Sequence, residues 1–398
     1  MKRLSFLLVL VLCFGCSKFE IDETTLPAEI RSNLPVIQIE VDADEFDEMY
    51  ENTEEEIEIK GKFSLYRDDE LLIENEKVEL ELKGKFSIRF PLKTLGVKFD
   101  KKYDNRDRSL INPAVVLPHH SIDKIKAIRL RNSGNDFEKT MLKDLSITQL
   151  AIQSGLDIDL TYGEAVLVYI NGEFYGLMNL RTEANTNGMA GLYEADKDDV
   201  TLAKITTQEL IKKDGDFNRI DALLDAIENK NIAYLKNEID LNSFIDYMIF
   251  QSYIGNTDWP HNNARFYAIK DGKFRFVLFD LDNASRLKID QSPLNRINGF
   301  WGSNILSDLF KALYEDEQDD SFKSKFLQRY RELLESGNIS SNELEKIVDE
   351  NTERITVEIE HQIAKYNAPR TKLEWQIELD KMMVLFRERE AAVRGHMK

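Results

Sequence analysis

The sequence has few residues of the types that build disulfides and histidine-based metal centres. It contains two cysteines and five histidines in 398 residues. Both cysteines, Cys13 and Cys16, lie near the N-terminus, and no intrachain disulfide can form if Cys13 is removed with an export signal. None of the histidines shows the spacing typical of metal ligands. No apolar run beyond the first residues is long enough to span a bilayer.

Positively charged residues are fewer than negatively charged ones. The chain has 53 Lys and Arg residues against 72 Asp and Glu residues, which gives a formal net charge of -19 at pH 7. Such a charge argues against broad attraction to DNA or RNA, so we expect no nucleic-acid partner, although a local basic pocket is compatible with it. With 42% hydrophobic residues, the chain can bury one large core or two moderate ones.

The N-terminus has the pattern of an export signal. Two basic residues precede an apolar run that ends at Gly15-Cys16. A small residue before a cysteine resembles the lipobox of bacterial lipoproteins, although the preceding leucine lies one place further away than usual. We predict a lipoprotein-type signal peptide at 1–16, a lipid on Cys16, a tether at 17–33, and export to a bacterial membrane or cell surface. The alternative is a plain secretory signal with an incidental Cys16.

Alternation of apolar and polar residues predicts strands in the first part of the chain, from Pro35 to about Phe99. A helix is predicted near Phe137 to Gln153, and a hairpin turns at Asn171-Gly172. The last quarter is mostly helical and charged. These patterns predict an α+β fold. We assign 34–300 to one domain with a β-rich N-terminal lobe to about residue 130, and 301–398 to a helical C-terminal extension of that domain.

Two polar stretches, NTDWPHNN at 256–263 and FDLD at 279–282, flank a second predicted hairpin. Apolar residues at helical spacing place the first stretch in a loop after a buried helix that begins at Leu241. The hairpin between the stretches is predicted to have a type I′ turn at Asp271-Gly272, which puts both stretches at the same end. Carboxylate and carboxamide oxygens gathered there predict a metal site.

A basic cluster interrupts the acidic chain between Lys83 and Arg108, and two further cations follow on a predicted strand. Arg129 and Arg131 are two residues apart, so they lie on one face of that strand. The cluster could be the exposed face of a sheet, where Lys and Arg are common. It could also bind a polyphosphate.

The polar stretches follow the spacing of protein kinases. In a kinase, a D-x-x-x-x-N loop precedes a hairpin and a metal-binding Asp. Here Asp258 and Asn263 have that spacing, and Asp280 follows the hairpin. A nucleoside triphosphate needs cations on one side and a metal held by carboxylates on the other, so the basic cluster and the polar stretches could serve one ligand.

At these residues the sequence resembles the CotH family, the spore coat protein H type of atypical protein kinases, in its lipoprotein version. The resemblance runs from about Pro35 to Ser285. The run from Gly84 to Lys93, with Ser87, Phe90 and Pro91, fits the pattern G-x-x-S-x-x-F-P-x-K, and Lys98 follows it. RNSGND, YINGEFYGL, DWPHNN and FDLD are similar to further blocks of the family in the same order.

The resemblance implies a diverged protein-kinase-like fold that transfers the γ-phosphoryl of ATP to Ser or Thr of an unknown partner protein. Lys93 would contact the phosphates and serve nucleotide affinity more than the fold. Asp258 would orient or deprotonate the acceptor hydroxyl. Mg²⁺, or Mn²⁺, would be the metal. The expected site residues are Lys93, Lys98, Arg129 and Arg131 for the nucleotide, Asp258 for catalysis, and Asn263, Asp280 and Asp282 for the metal.

Three alternatives remain open. The family acid after the hairpin is displaced to Glu183, and Lys143 stands where an arginine is usual, so a non-catalytic lipoprotein that binds or scaffolds in the envelope is also compatible. A metal-dependent phosphoesterase is less compatible because no second metal cluster is evident. Asp282 could be a cap or turn residue, and we assign His261 no chemistry.

Overall fold

A closed β-barrel forms most of the N-terminal half of the protein. The computed structural model describes residues 32–99, 113–118, 120, 122, 124–207, 209–298 and 304–397. The strands of this described part are β1 (Val36–Val41), β2 (Glu58–Arg67), β3 (Glu70–Lys83), β4 (Thr94–Lys98), β5 (Ala127–Arg131), β6 (Asp159–Leu160), β7 (Gly163–Ile170), β8 (Glu173–Thr182), β9 (Val200–Ile205), β10 (Leu210–Asp214), β11 (Ala264–Ile269) and β12 (Arg275–Leu278). Seven of them close the barrel in the order β1-β2-β3-β4-β5-β8-β7.

Strand β1 completes the barrel because it has a partner on each side. It runs antiparallel to β2, with Ile37 opposite Leu65, and parallel to β7, with Ile37 opposite Val168. Alternate residues fill the interior: Phe63 is fully buried and packs edge-on against Phe99, with ring centroids 5.5 Å apart. The remaining strands form a second sheet in the order β10-β9-β11-β12-β6.

Helices surround both sheets. In the described residues they are α1 (Ala43–Glu51), α2 (Pro113–Val116), α3 (Lys143–Gln153), α4 (Thr186–Leu192), α5 (Phe217–Glu228), α6 (Ile232–Glu238), α7 (Leu241–Tyr253), α8 (Pro293–Ile297), α9 (Ile305–Tyr314), α10 (Ser321–Ser336), α11 (Ser341–Ile355), α12 (Glu358–Tyr366) and α13 (Lys372–His396). Helix α11 packs on α3, α12 on β8 and α13 on α7. One continuous apolar core therefore joins the barrel, the second sheet and the C-terminal helices.

The architecture is a mixed α+β fold with a β-rich N-terminal half and a helical C-terminal part, as predicted. The barrel extends past residue 130, where we expected the β-rich lobe to end, since β7 and β8 close it and β8 ends at Thr182. Among the helices of the described residues, none combines the length and the apolar character needed to cross a membrane. The predicted signal peptide with Cys16, almost all of the predicted tether, and residues 100–108 of the basic cluster lie outside the described residues.

The predicted turns differ in outcome. Asn171 and Gly172 have φ angles of 51° and 81°, and the flanking Ile170 and Glu173 pair, as a type I′ hairpin requires. The prediction of a type I′ turn at Asp271-Gly272 is wrong. The left-handed residue is Lys270, with φ of 50°, and the Gly272 N–H donates to the Ile269 carbonyl at 2.9 Å, so the turn lies one residue earlier.

Helix α3 begins at Lys143, so the prediction of a helix from about Phe137 is wrong at its N-terminal end. The carboxylate of Asp136 accepts hydrogen bonds from the backbone N–H groups of Thr140 and Lys143, at 3.3 and 3.1 Å. Met141 has a positive φ of 59°, which a helix does not allow. A side-chain cap and a left-handed residue therefore delay the helix, whereas apolar periodicity alone continued through them.

Candidate active site between the barrel and the second sheet

The first polar loop, residues 256–263, is fixed to the helix that precedes it. Helix α7 ends before Gly255, whose φ is +61°, and the Asp258 N–H donates to Asn256 Oδ1 at 3.1 Å. Trp259 is fully buried, its indole N–H donates to the Tyr247 hydroxyl at 3.1 Å, and its peptide bond to Pro260 is cis. A buried aromatic anchor on α7 therefore sets the position of the neighbouring Asp258.

Asp258 is half-buried and is held by two carboxamides. Asn263 Nδ2 and Asn283 Nδ2 both donate to Asp258 Oδ2, at 3.4 and 3.2 Å. Burial, and then the charge of Asp280, raise the pKa of Asp258. Asn263 has a φ of 49°, a left-handed conformation in which the loop turns its side chain back toward Asp258. The arrangement joins the two ends of the hairpin formed by β11 and β12.

The second polar loop follows β12 and holds Asp280 and Asp282 on one cation. Arg131 Nη2 donates to Asp280 Oδ1 and, at 2.8 Å, to Asp282 Oδ2. Asp280 has a φ of 59°, a strained conformation that Asp tolerates better than most residues. Burial and then Asp280 raise the pKa of Asp282 to about 7. Burial lowers the pKa of Arg131, but its carboxylate neighbours outweigh that effect and raise it.

Asp282 is saturated with hydrogen-bond donors. Besides Arg131, it accepts the Asn135 N–H at 2.9 Å, the Asn135 carboxamide at 3.3 Å and the Asn283 carboxamide at 3.0 Å. These contacts bind the RNSGND segment to the second polar loop. They favour a positioning role for Asp282 and leave Asp280 as the better candidate metal ligand.

A buried network that sequence reasoning missed supports Arg131 from behind. Asp144, at the start of α3, accepts from Arg131 at 3.3 Å, from Arg181 at 2.8 Å and from the Leu281 N–H at 2.8 Å. Burial would raise the pKa of Asp144, but the two guanidinium groups lower it. Asp144 ends the TMLKD segment that follows RNSGND in the family-like block, but no sequence signal pointed to its contacts with Arg181 and the Leu281 N–H. Asn283 was also missed, although it directly follows FDLD.

Lys93 lies within the loop that precedes β4. Its side chain is 8% exposed, and its ammonium donates to the carbonyls of Ile88 and Phe90, at 2.8 and 3.5 Å. It also lies 4.8 Å from the centre of the Tyr50 ring. Burial lowers the pKa of Lys93. These contacts hold the loop, and the expected contact of Lys93 with phosphates stays a prediction.

The other predicted nucleotide cations are also paired with carboxylates. Lys98 binds Glu58 and, at 2.9 Å, Glu81 on the outer face of the barrel. Arg129 makes a bidentate contact with Glu183, at 3.2 and 2.9 Å. Arg129 and Arg131 share the outer face of β5, as their spacing predicted. Of the four cations, only Arg131 contacts the predicted metal ligands.

The donor set suits a hard divalent cation. Asp258 is held by the Asn263 carboxamide and lies within the electrostatic influence of Asp280, and burial and like charge raise the pKa of Asp258. A divalent cation would relieve that repulsion. Within the described ranges, no group of three or more His, Cys, Asp or Glu residues has the arrangement of a metal site.

His261 and Glu183, the acidic residue displaced from the family pattern, each lie beside a charged residue of the site. His261 is half-buried, and burial lowers its pKa while Asp258 opposes the shift. Our assignment of His261 as a loop residue stays a prediction. Glu183, displaced by one position from the family pattern, still reaches Arg129 on β5.

A family comparison fits this geometry. The family model described as CotH kinase protein matches residues 80–393. The chain belongs to the CotH family. The match contains every predicted site residue of the described chain and almost all of the C-terminal helices, whereas β1 and β2 precede it. A comparison with curated proteins gives no significant match.

Proposed function

We propose that this CotH protein is a metal-dependent, protein-kinase-like phosphotransferase that moves the γ-phosphoryl of ATP to Ser or Thr of a partner protein. One observation carries the proposal. Asp258 is linked through Asn283 to Asp282, and Asp282 is linked through Arg131 to Asp280. A candidate base and a candidate metal ligand thus occupy one hydrogen-bonded unit at the end of one hairpin, as phosphoryl transfer requires.

Asp258 is the candidate that orients the acceptor hydroxyl and accepts its proton. Its amide donors both bind Oδ2, so the proton would go to Oδ1. Its raised pKa brings the carboxylate closer to the range of an effective general base. The carboxamides of Asn263 and Asn283 keep the side chain in place while the proton is transferred.

Asp280 and Asn263 are the candidates that hold Mg²⁺ or Mn²⁺. When bound, that ion would neutralise charge on the phosphate oxygens. Asp282, with its oxygens occupied by Asn135, Asn283 and Arg131, would orient the loop that carries Asp280. Arg131 has no other carboxylate partner in the described residues than Asp144, Asp280 and Asp282, so it would serve as the fixed support of the metal ligands.

A second candidate function is a non-catalytic envelope protein that uses the fold as a binding surface. The observation that favours it is the ion pair of Arg131 with Asp280 and Asp282, because a guanidinium already neutralises the carboxylates that a metal would need. The two functions make different predictions for nucleotide binding.

The test compares Asp280→Ala, Asp258→Asn and the surface control Asp271→Asn with the parent, using calorimetry with Mg²⁺-ATP and transfer from labelled ATP. Asp280→Ala should lose metal-dependent nucleotide binding and transfer together. Asp258→Asn should bind nucleotide nearly as the parent does and lose roughly two to four decades of rate, the scale of a positioned general base. Asp271→Asn should match the parent. If none of the four proteins gives a heat of binding, the phosphotransferase is contradicted and the non-catalytic function remains.

We further propose that the protein is exported and anchored through a lipid on Cys16. The Lys2-Arg3 start, the apolar run and Gly15-Cys16 support this. A lipid on Cys16 would place the barrel a short tether away from the membrane. Cys16→Ser should move the protein from the membrane fraction to the soluble fraction or leave it unprocessed. A Cys13→Ser control should keep the parent distribution, and a membrane-bound Cys16→Ser variant would contradict the proposal.

A further inference from the structure

Cations gather at the end of the second sheet that faces the barrel, in a protein with a formal net charge of -19. We call four of them the cleft cations, and they are Lys85, Lys204, Lys213 and Arg265; Arg129, which pairs with Glu183, lies near them. Lys204 and Arg265 lie directly opposite each other on β9 and β11. Like charges opposite each other on neighbouring strands destabilise a sheet. Glu183 and Asp280 partly offset the charge of Arg265, so the uncompensated member of the pair is Lys204.

Within the described part of the chain, no acidic residue is among the strongest influences on Lys204. It is half-buried, and in the ion pairs of the described residues it has no carboxylate partner. Burial lowers its pKa, and the next strongest influences are the positive charges of Arg265, Lys85, Lys213 and Arg129, which lower it further. By contrast, the neighbouring Lys212 on β10 pairs with Asp221.

Arg265 is constrained in a similar way. Its Nη1 donates to the Ala184 carbonyl and its guanidinium lies 4.7 Å from the centre of the Phe279 ring. Its Nε is buried and has no hydrogen-bond partner in the described part of the chain. A buried guanidinium N–H without a hydrogen-bond partner destabilises the protein unless a ligand accepts a hydrogen bond from it or neutralises the surrounding charge.

The cleft cations adjoin the candidate active site. Arg265 is two residues beyond Asn263, and Phe279 directly precedes Asp280. Lys85 comes from the exposed loop after Gly84, whose backbone has a φ of 117°. In the described residues Lys93 donates to loop carbonyls, Lys98 pairs with Glu58 and Glu81, and Arg129 pairs with Glu183; their predicted contact with phosphates stays a prediction.

We propose that the cleft cations bind the phosphate oxygens of a nucleoside triphosphate, with Lys204 as the central contact. This inference rests on the proposed function and names the nucleotide-binding residues of that site. A compact polyanion fits better than an acidic peptide because Lys204 and Arg265 are half-buried between the sheet and the barrel, and only Lys85 and Lys213 are exposed. The triphosphate would then lie between these cations and the Asp280 loop.

The experiment measures binding of Mg²⁺-ATP, inorganic tripolyphosphate and adenosine to the parent protein, Lys204→Gln, Lys204→Arg and Lys212→Gln by calorimetry. Removing one charged hydrogen bond should weaken binding of ATP and tripolyphosphate on the order of 10- to 100-fold in Lys204→Gln. Lys204→Arg should keep most of the affinity, and Lys212→Gln should bind as the parent does. Adenosine should bind equally to all four proteins.

The melting temperature of Lys204→Gln shows whether a loss of binding results from a loss of folding. Lys204→Gln removes a like charge opposite Arg265, so its melting temperature should equal or exceed that of the parent. If Lys204→Gln nevertheless fails to fold, Lys85→Gln in the exposed loop should still weaken tripolyphosphate binding, and unchanged binding in it would overturn the inference.

The outcomes also separate this inference from the proposed function. Parent protein that binds tripolyphosphate through Lys204 but transfers no phosphoryl group would support the inference and contradict the phosphotransferase. If Lys204→Gln keeps full ATP affinity and transfers phosphoryl groups, the phosphotransferase is supported and the inference is contradicted. A parent that binds neither ATP nor tripolyphosphate, or one in which an oligoglutamate peptide competes equally well with tripolyphosphate, would overturn the inference.

Discussion

At Gly134 the backbone approaches the candidate metal loop so closely that no side chain fits. A Cβ there would overlap Asp282 Oδ2 and lie 2.7 Å from Arg131 Nη2, and the φ of Gly134 is +58°. Gly155, after α3, has a similar φ of +67° but nothing within 4 Å of an added Cβ. Comparing substitutions at these two glycines therefore separates the effect of backbone strain from the effect of displacing the site.

We predict that Gly155→Ala costs about 1 kcal/mol of unfolding free energy, from the positive φ alone. Gly134→Ala should cost more, on the order of 2–4 kcal/mol, because the carboxylate of Asp282 and the guanidinium of Arg131 must also move. Denaturant unfolding measures both losses, and calorimetry with Mg²⁺-ATP should detect weaker binding in Gly134→Ala only. Equal losses of stability in the two variants would mean that the close approach of Gly134 to Asp282 and Arg131 does not add to the cost of the substitution.

Lys93 gives a second prediction at this scale. Lys93→Met should lower the unfolding free energy by about 1–3 kcal/mol, because the carbonyls of Ile88 and Phe90 lose their donor. Lys98→Met is the matched control, since its ion pairs with Glu58 and Glu81 are partly exposed and should contribute no more than about 1 kcal/mol. Chemical denaturation distinguishes them, and a larger loss in Lys98→Met would contradict the loop role of Lys93.

The sequence predicted site residues where a local motif contained them. Asp258, Asn263 and Asp280 were proposed as site residues because a helix, a loop and a hairpin follow one another in the chain. The roles of Asp144 and Arg181 could not be predicted, since their contact depends on the packing of α3 against β8. The contacts of the Lys93 ammonium with the carbonyls of Ile88 and Phe90 could not be predicted either, because a sequence does not show which way an ammonium points.

At the scale of elements, α13 holds the end of α7 and the segment after the second polar loop. Arg389 is 1% exposed, and it donates to the carbonyls of Tyr253, at 2.9 Å, and of Ser252 at the end of α7. It also donates to the carbonyls of Ile289, at 2.8 Å, and Gln291. One guanidinium from the C-terminal helix thus satisfies four carbonyls on either side of the site.

We predict that Arg389→Ala destabilises the protein by about 3–5 kcal/mol, because four carbonyls lose their donor at a buried position. Arg387→Ala, two residues earlier on the same helix, removes only a partly exposed pair with Glu345 and should cost less than about 1 kcal/mol. Thermal unfolding of both variants tests the comparison. A similar melting temperature in the two variants would show that α13 does not support the site through Arg389.

Elements with local signals were predicted well. The Asn171-Gly172 hairpin and α7 follow from turn chemistry and from periodicity within a few residues. The start of α3 and the turn at Lys270 were wrong, because a side-chain cap by Asp136 and a one-residue shift of a turn depend on the surrounding structure. The C-terminal helices were recognised as helices, but their contacts with α3, α7 and β8 had no sequence signal.

At the scale of the whole molecule, closure of the barrel has a consequence for the order of folding during synthesis. The first strand, β1, reaches its parallel partner β7 only when residues 163–170 have left the ribosome. Until then one edge of β1 has no partner, and contacts so distant in sequence form slowly. The family match begins at residue 80, so a fragment confined to it would keep the pairing of β7 with β8 but lack β1 and β2, and the barrel would stay open.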